Sequence, residues 1–343
     1  MKAVTISRTG TPVAPNVHVV TDWPEPLPKL GELRVRTEAS ALNHLDLWVG
    51  RGLPGLELPY PRVSGSDGVG IVDAVGERVD QAWVGRRVVL NAAKPKPDAL
   101  HPDHAQMPPD LVVIGEHEHG TMASAFVAPA TNVLDIGDAD PVEAAAYALS
   151  HLTAWRMLVT RARLRAGQTV LITGIGGGVA LACLGIARHF GCRVIVTSRH
   201  QWKLDRAMEL GATHGVLDTG EDWSREVRSV TGKRGVHICA DSVGQAIHMS
   251  CIKSLARGGV FTTCGTTTGP AATTDLTRVF WNQLTIVGST MGDMNEFREA
   301  MALFTSGAIR PVIDLVTDAT DAMSAYARLE SGDHFGKIAV RWT

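Results

Sequence analysis

No window of this chain approaches eighteen consecutive apolar residues, so nothing in it is long enough to cross a bilayer as a helix. Nor is there a long basic run: 33 Lys and Arg stand against 35 Asp and Glu, for a formal net charge of −2. Nucleic acid and anionic membrane are therefore not implied as main partners. None of the five cysteines, Cys183, Cys192, Cys239, Cys251 and Cys264, lies in a C-x-x-C pair, which argues against a cysteine-rich zinc site. Their odd number, and their places inside or beside apolar segments, read as reduced core thiols of a cytoplasmic protein. The opening MKAVTI reads as a first strand and lacks the apolar h-region of a signal peptide. Internal repeats at solenoid periods are also missing.

What is present is globular. A hydrophobic share of 45% with 20% charged residues, over 343 residues, suits two domains with a large core. Up to about residue 130 the chain is rich in Pro, Gly and short valine-bearing runs, notably Glu32 to Thr37, Gly68 to Val75, Arg87 to Leu90 and Ala123 to Val127. These predict a β-barrel-like domain. The proline-rich stretch from Asn91 to Val112 reads as an irregular surface loop. Asp140 to Leu158, alanine-rich with Pro141 near its start, predicts a helix entering a second domain. Strands near 169–173, 193–197, 215–217, 236–240, 259–264 and 284–288 then alternate with helices, as βαβ units of a six-stranded parallel sheet do. The tail from about Glu296 predicts a helix, a strand at Val312 to Val316, a helix at Asp321 to Leu329 and a last strand at Lys337 to Arg341, returning to complete the first domain.

The most informative segment is Thr169 to Arg199, TVLITGIGGGVALACLGIARHFGCRVIVTSR. A short apolar strand runs straight into glycines, and from Val179 the apolar residues Cys183, Ile186, Ala187 and Phe190 recur with helical spacing until Gly191. Gly174, Gly177 and Ala180 fit a G-x-x-G-x-x-A spacing, with Gly178 and Val179 opening the helix. The amides of such a first turn face a pyrophosphate, and the glycines let it approach the backbone. Folds of this kind that prefer NAD end the second strand in an acid, which accepts from the ribose 2′-OH and repels a 2′-phosphate. This strand ends instead in Ser198 and Arg199, with Lys203 one helical turn on, a hydroxyl and two cations suited to the phosphate of NADP. The plainer alternative is that Arg199 and Lys203 are solvated charges at a helix start.

ALNHLDLW, VSGSDGVGIVDAVG, LTAWRML, the glycine turn and the terminal FGKIAV together make the whole chain resemble the medium-chain dehydrogenase/reductase superfamily, and within it the zinc-free quinone oxidoreductase-like branch. The resemblance implies a GroES-like catalytic domain over 1–130, completed by 296–343, and a Rossmann domain over 131–295. It also implies NADP(H), hydride transfer to a quinone or α,β-unsaturated carbonyl, an active site in the cleft between the domains, and a homodimer. The strand Leu284 to Gly288 is the edge expected to pair with its twin. Positions that carry zinc ligands in the alcohol dehydrogenase branch fall on Asn43, Ser66 and Leu149, and the proline-rich loop around Pro95 to Pro109 replaces the structural zinc lobe, so no metal is expected. His101, His104, His117 and His119, with Asp98, Asp103, Glu116 and Glu118, form a rival cluster that reads more simply as loop residues.

In place of zinc, the resemblance puts Asn43 and His44 near the nicotinamide, with Asp46 orienting His44; a hydrogen bond or proton from His44 would stabilise charge on the substrate oxygen. A structural role for His44, and a lesser chemical one for His151, remain alternatives. Thr153, Ser242, Gly265, Ser289 and Lys337 are expected at the cofactor, Thr153 otherwise bonding its own helix backbone. Trp48, Tyr60, Phe126, Met291 and Met294 are candidates for the apolar substrate pocket, although aromatic and Met side chains are more often core. Two other functions compete: a zinc-type alcohol dehydrogenase, and an NADPH-binding protein with little turnover.

Overall fold

Alternation of apolar and charged side chains shapes the N-terminal part of the chain. In this computed structural model, which describes residues 1–53, 55–96 and 110–342, short strands precede and follow one helix. They are β1 (Ala3–Ile6), β2 (Val17–Val20) and β3 (Glu32–Ala41), then α1 (His44–Arg51), then β4 (Arg62–Val63), β5 (Asp67–Val75), β6 (Arg87–Leu90), β7 (Ala93–Pro95), β8 (Leu111–Val113), β9 (Ala125–Pro129) and β10 (Val133–Asp135). On β3, Leu33 and Val35 are fully buried while Arg34 between them reaches across to Asp73 of β5 at 2.8 Å. A two-faced antiparallel sheet needs that pattern. The expected loop residues Asp98, His101, Asp103 and His104 lie outside the described residues.

Two compact units emerge: one comprises Met1–Leu149, Asp293–Ser306 and Pro311–Thr343, the other Ser150–Gly292 and Gly307–Arg310. The sequence places the junction at 130, whereas the contacts place it inside α2 (Pro141–Trp155), whose first residues belong with the strands. Pro141 opens this helix as expected, because a proline there gives up no bonded amide.

Beyond α2, a π-helical turn over Arg156–Arg161 leads into the second unit. There β11 (Thr169–Ile172), α3 (Gly178–His189), β12 (Arg193–Ser198), α4 (Gln201–Glu209), β13 (His214–Leu217), α5 (Ser224–Val230), β14 (Val236–Asp241), α6 (His248–Ser254), β15 (Leu255–Thr263), α7 (Leu276–Trp281) and β16 (Thr285–Gly288) alternate. All six strands are parallel, in the order β13-β12-β11-β14-β15-β16. The order reverses direction between β11 and β14, the switch point at which doubly wound sheets bind dinucleotides. β11 is buried throughout, as a strand covered on both faces must be. β16 is an edge with mostly exposed residues.

The tail supplies α8 (Met294–Thr305), β17 (Ile313–Asp318), α9 (Ala322–Ser331) and β18 (Lys337–Arg341). β18 runs antiparallel to β3, with Ala339 opposite Ala41, and β17 lies parallel to β18. The main sheet of the first unit thus reads β10-β6-β5-β3-β18-β17, with β9 also on β3. Tyr326 of α9 and Ile338 of β18 share a core with Val4, Ile6 and Leu47. Among the described residues no helix is long and apolar enough to cross a membrane.

Candidate functional site

The glycine turn behaves as its spacing predicts. Gly174 takes φ +60 and Gly176 φ +124, conformations that favour glycine, and they fold the chain from β11 into α3. Gly177 differs: its φ is an ordinary −78, it caps α3 without a side-chain hydrogen bond, and a Cβ built on it meets no atom within 4 Å. It therefore faces open space. The first-turn amides of Gly178, Val179 and Ala180 keep the unpaired donors that every helix start carries, and together they make an anion cradle.

One ammonium borders this cradle. A Cβ on Gly176 would fall 3.3 Å from the Lys203 ammonium, so Lys203, largely buried, reaches back from α4 to the turn. Ser198 ends β12 buried, its hydroxyl accepting from the His200 amide at 3.1 Å, while Arg199 is exposed. Asp241, at the end of β14, receives the Thr173 hydroxyl at 2.6 Å and the amides of Val243 and Gly244, which ties β14 to the start of the turn. Ser242 and Gly265 occupy adjoining turns at the ends of β14 and β15: a Cβ on Gly265 would lie 3.2 Å from the Ser242 carbonyl.

Three hydroxyls in this unit are buried without a hydrogen-bond partner: Thr153 Oγ1, Ser289 Oγ and, inside β15, Thr262 Oγ1. The backbone-bonded reading of Thr153 thereby fails. Unpaired buried donors carry a cost of about 1–3 kcal/mol. The uncapped turn, the neighbouring ammonium and the Thr153 and Ser289 hydroxyls fit a nicotinamide dinucleotide. Met291 is buried in the same unit, at the unusual φ of +38. His151 is buried, its Nδ1 3.3 Å from the Ser150 hydroxyl.

The first unit holds a different arrangement. Asp67, fully buried at the start of β5, accepts the Leu149 amide on one oxygen and both Asn43 Nδ2 and the Lys337 ammonium on the other, at 2.8 and 2.9 Å. Lys337 also donates to Asn43 Oδ1 at 2.6 Å. The ammonium expected at the cofactor is thus engaged inside the first unit. Asn43 likewise has both amide atoms committed, so it braces the cluster. Asp46 does not orient the His44 ring; it accepts the amides of Asn43 and Gly65, closing a capping box on α1. Burial pushes its carboxyl up to about 6, against the opposing pull of those amides and of Lys337.

His44 contrasts with this bonded cluster, as do Thr37 Oγ1 and Arg62 Nε and Nη1 elsewhere in the first unit. Its Nε2 is buried with no partner, and burial together with nearby Arg51 lowers its pKa, which keeps the ring neutral near pH 7. Trp48, one turn along α1, meets it edge to face at 5.5 Å between centroids. Tyr60 donates its hydroxyl to the Val49 carbonyl and packs on the core of this unit. Phe126 on β9 is a core residue, close enough to β5 to leave no room for a side chain at Gly68. Met294, half-buried, opens α8 behind the Asp293 cap.

Asp67 is the functional-region residue that sequence reasoning passed over; the signal was the acid that directly follows Ser66 in VSGSDG. Ser66 itself is buried and donates to the Ile114 carbonyl at 2.8 Å. With Leu149 supplying only hydrocarbon and Asn43 held by Asp67 and Lys337, the three positions do not form a zinc donor set. His117 Nδ1 accepts the Val113 amide, His119 Nδ1 accepts the Val63 amide while its ring packs on Trp23, and Glu118 pairs with Lys94. Glu116, half-buried, is held above the usual carboxylate range by that burial. Among the described residues no group of three or more His, Cys, Asp or Glu could hold a metal ion.

Two family models match the chain, the alcohol dehydrogenase GroES-like domain over residues 29–138 and the zinc-binding dehydrogenase over 178–306. A zinc-type alcohol dehydrogenase-like protein of Schizosaccharomyces pombe is 30% identical, with 91% of each chain covered. A crystal structure described as an NAD-dependent alcohol dehydrogenase superposes with a TM-score of 0.91 at 36% identity, covering 100% of both chains. A mycobacterial protein solved in complex with NADPH superposes at 0.82, with 27% identity and 100% of both chains covered.

Proposed function

The chain belongs to the medium-chain dehydrogenase/reductase superfamily, and from that premise we propose that it is an NADPH-dependent oxidoreductase that passes hydride, without metal, to a quinone or to the β-carbon of an α,β-unsaturated carbonyl. The observation that carries the reading is the open face of Gly177 above an uncapped helix start, with a buried ammonium beside it.

In this reading the α3 amides and Lys203 hold the pyrophosphate side of the cofactor, and Ser198 with Arg199 takes the 2′-phosphate, since no carboxylate stands at the end of β12 to repel it. Thr153 and Ser289 hydrogen-bond the nicotinamide end, and Ser242 and Gly265 line the approach. The bound dinucleotide supplies the hydride. His44, as a neutral ring, donates from Nε2 to the oxygen on which charge develops, and water completes protonation at carbon. Trp48 is assigned to the apolar side of the substrate.

The absence of zinc belongs to the proposal and rests on Asn43 and Ser66, whose polar atoms are engaged with Asp67, Lys337 and Ile114. So does a homodimer. Its support is the unpaired edge of β16 with exposed Ile286, next to α7, whose Leu276, Phe280 and Trp281 are 72%, 66% and 70% exposed. A second reading, NAD-dependent oxidation of an alcohol, draws on the similar structure described as such an enzyme.

The deciding measurement is the initial rate of NADPH and NADH oxidation over a panel of quinones and conjugated ketones with a chelator present. In parallel, secondary alcohols are offered with NAD and zinc. Turnover of NADPH under chelation is expected; turnover only of alcohols with zinc would establish the second reading, and silence in both would leave a cofactor-binding protein.

A further inference from the structure

We propose that Arg161 is a positioning residue for the cofactor: from the π-helical turn after α2 it holds the end of β16, and so places the Ser289 hydroxyl. The inference rests on the reading that a nicotinamide dinucleotide occupies the second unit.

A π-turn is poorly bonded and short-lived in sequence unless something requires it. Here the widened turn spans Arg156–Arg161, and it is closed by the Ala162 amide on the Met157 carbonyl at 3.0 Å and the Leu164 amide on the Leu158 carbonyl at 2.8 Å. Both bonds reach further back along the chain than an α-helix allows. The consequence is at Arg161, whose Nε donates to the Gly288 carbonyl at 2.8 Å.

Gly288 is the last residue of β16 and an exposed one, with no side chain to anchor it. Because β16 is the sheet edge, β15 bonds it from one side only; at this end the Ser289 amide donates to the Thr263 carbonyl at 2.9 Å. The guanidinium provides a second attachment, immediately before Ser289 with its unpartnered hydroxyl. A further unpartnered hydroxyl, that of Thr153, stands earlier on the same continuous helix that carries the π-turn. One helical segment therefore carries the Thr153 hydroxyl and steadies the strand that delivers Ser289.

The test is a double-mutant cycle on NADPH affinity, followed by fluorescence titration, with Arg161→Ala, Ser289→Ala and the double variant, together with Arg161→Lys. Each alanine variant is expected to raise the NADPH Kd about 3- to 10-fold. The double variant should be no worse than the weaker binder of the two, because both changes remove the same contact. Arg161→Lys, which retains a donor, should recover part of the loss, and the melting temperature of Arg161→Ala should stay at the wild-type value. Losses that multiply in the double variant, or an Arg161→Ala protein that binds as the wild type does, overturn the positioning role. Wild-type protein that binds neither NADPH nor NADH overturns the functional reading itself, which the same titration shows separately.

Discussion

The cofactor turn of the second unit and the buried cluster of the first are both dense in polar groups, and they differ in how those groups are satisfied. Around Gly177 the α3 amides are left open with the Lys203 ammonium nearby, and in the same unit the hydroxyls of Thr153 and Ser289 have no partner. Around Asp67, the carboxylate, the amide of Asn43 and the ammonium of Lys337 are bonded to one another at 2.6 to 2.9 Å. Saturation marks a group that holds the fold; open donors mark a place for a ligand. His44 is informative because, at the start of α1 beside that bonded cluster, its Nε2 has no partner.

Breaking each region should therefore give a different phenotype. The largest effect is expected from Gly177→Val: φ −78 suits an L-residue, so the protein should fold normally, yet the branched side chain fills the cradle and binding of both NADPH and NADH should fall below detection. Titration of either cofactor checks this, and retained affinity would show that the turn is not the pyrophosphate site. In the other region Asp67→Ala leaves the Lys337 ammonium buried with its countercharge gone, and urea unfolding should record a loss of about 3–5 kcal/mol.

The comparison also extends to acid. The Asp46 carboxyl titrates at about 6 when folded and near its ordinary 3.8 when unfolded. A raised folded pKa contributes stability that is fully present below about 4 and lost as pH rises through about 6, by up to about 3 kcal/mol. Wild-type stability measured from pH 4 to 7 should therefore fall more with rising pH than that of Asp46→Asn; parallel curves would contradict the assignment. His44→Ala should lower kcat about 10- to 100-fold with cofactor affinity unchanged, and an unaltered rate would return His44 to a structural role. The mildest change is Arg199→Ala, expected to weaken NADPH about tenfold while sparing NADH; equal losses would remove the 2′-phosphate contact.

Much of the second unit was legible because its signals are local. Five of the six strand positions were placed within a residue or two because each is a short run of strand-forming residues, β15 began four residues earlier than its 259–264 reading, and α3 was bounded by glycines at both ends. The junction at 130 was misplaced because an alanine-rich helix packs equally well on either neighbour, and nothing within PVEAAAYALSHLTAW records that its first turns belong with the strands. Lys337 read as a cofactor ligand for a similar reason: a lysine opening the final strand does not disclose which carboxylate it meets.

By itself the sequence determined the strand-glycine-helix unit and the hydroxyl and cations at the end of β12. These properties depend on residue type and on spacings within one turn or strand. Only the tertiary structure decided that Asp67 gathers Asn43, Leu149 and Lys337, that Asp46 serves the α1 cap, and that His44, Thr153 and Ser289 retain unpaired polar atoms. Pairing at that range is set by which elements fold together, and a residue's neighbours in space leave no periodic mark on its neighbours in the chain.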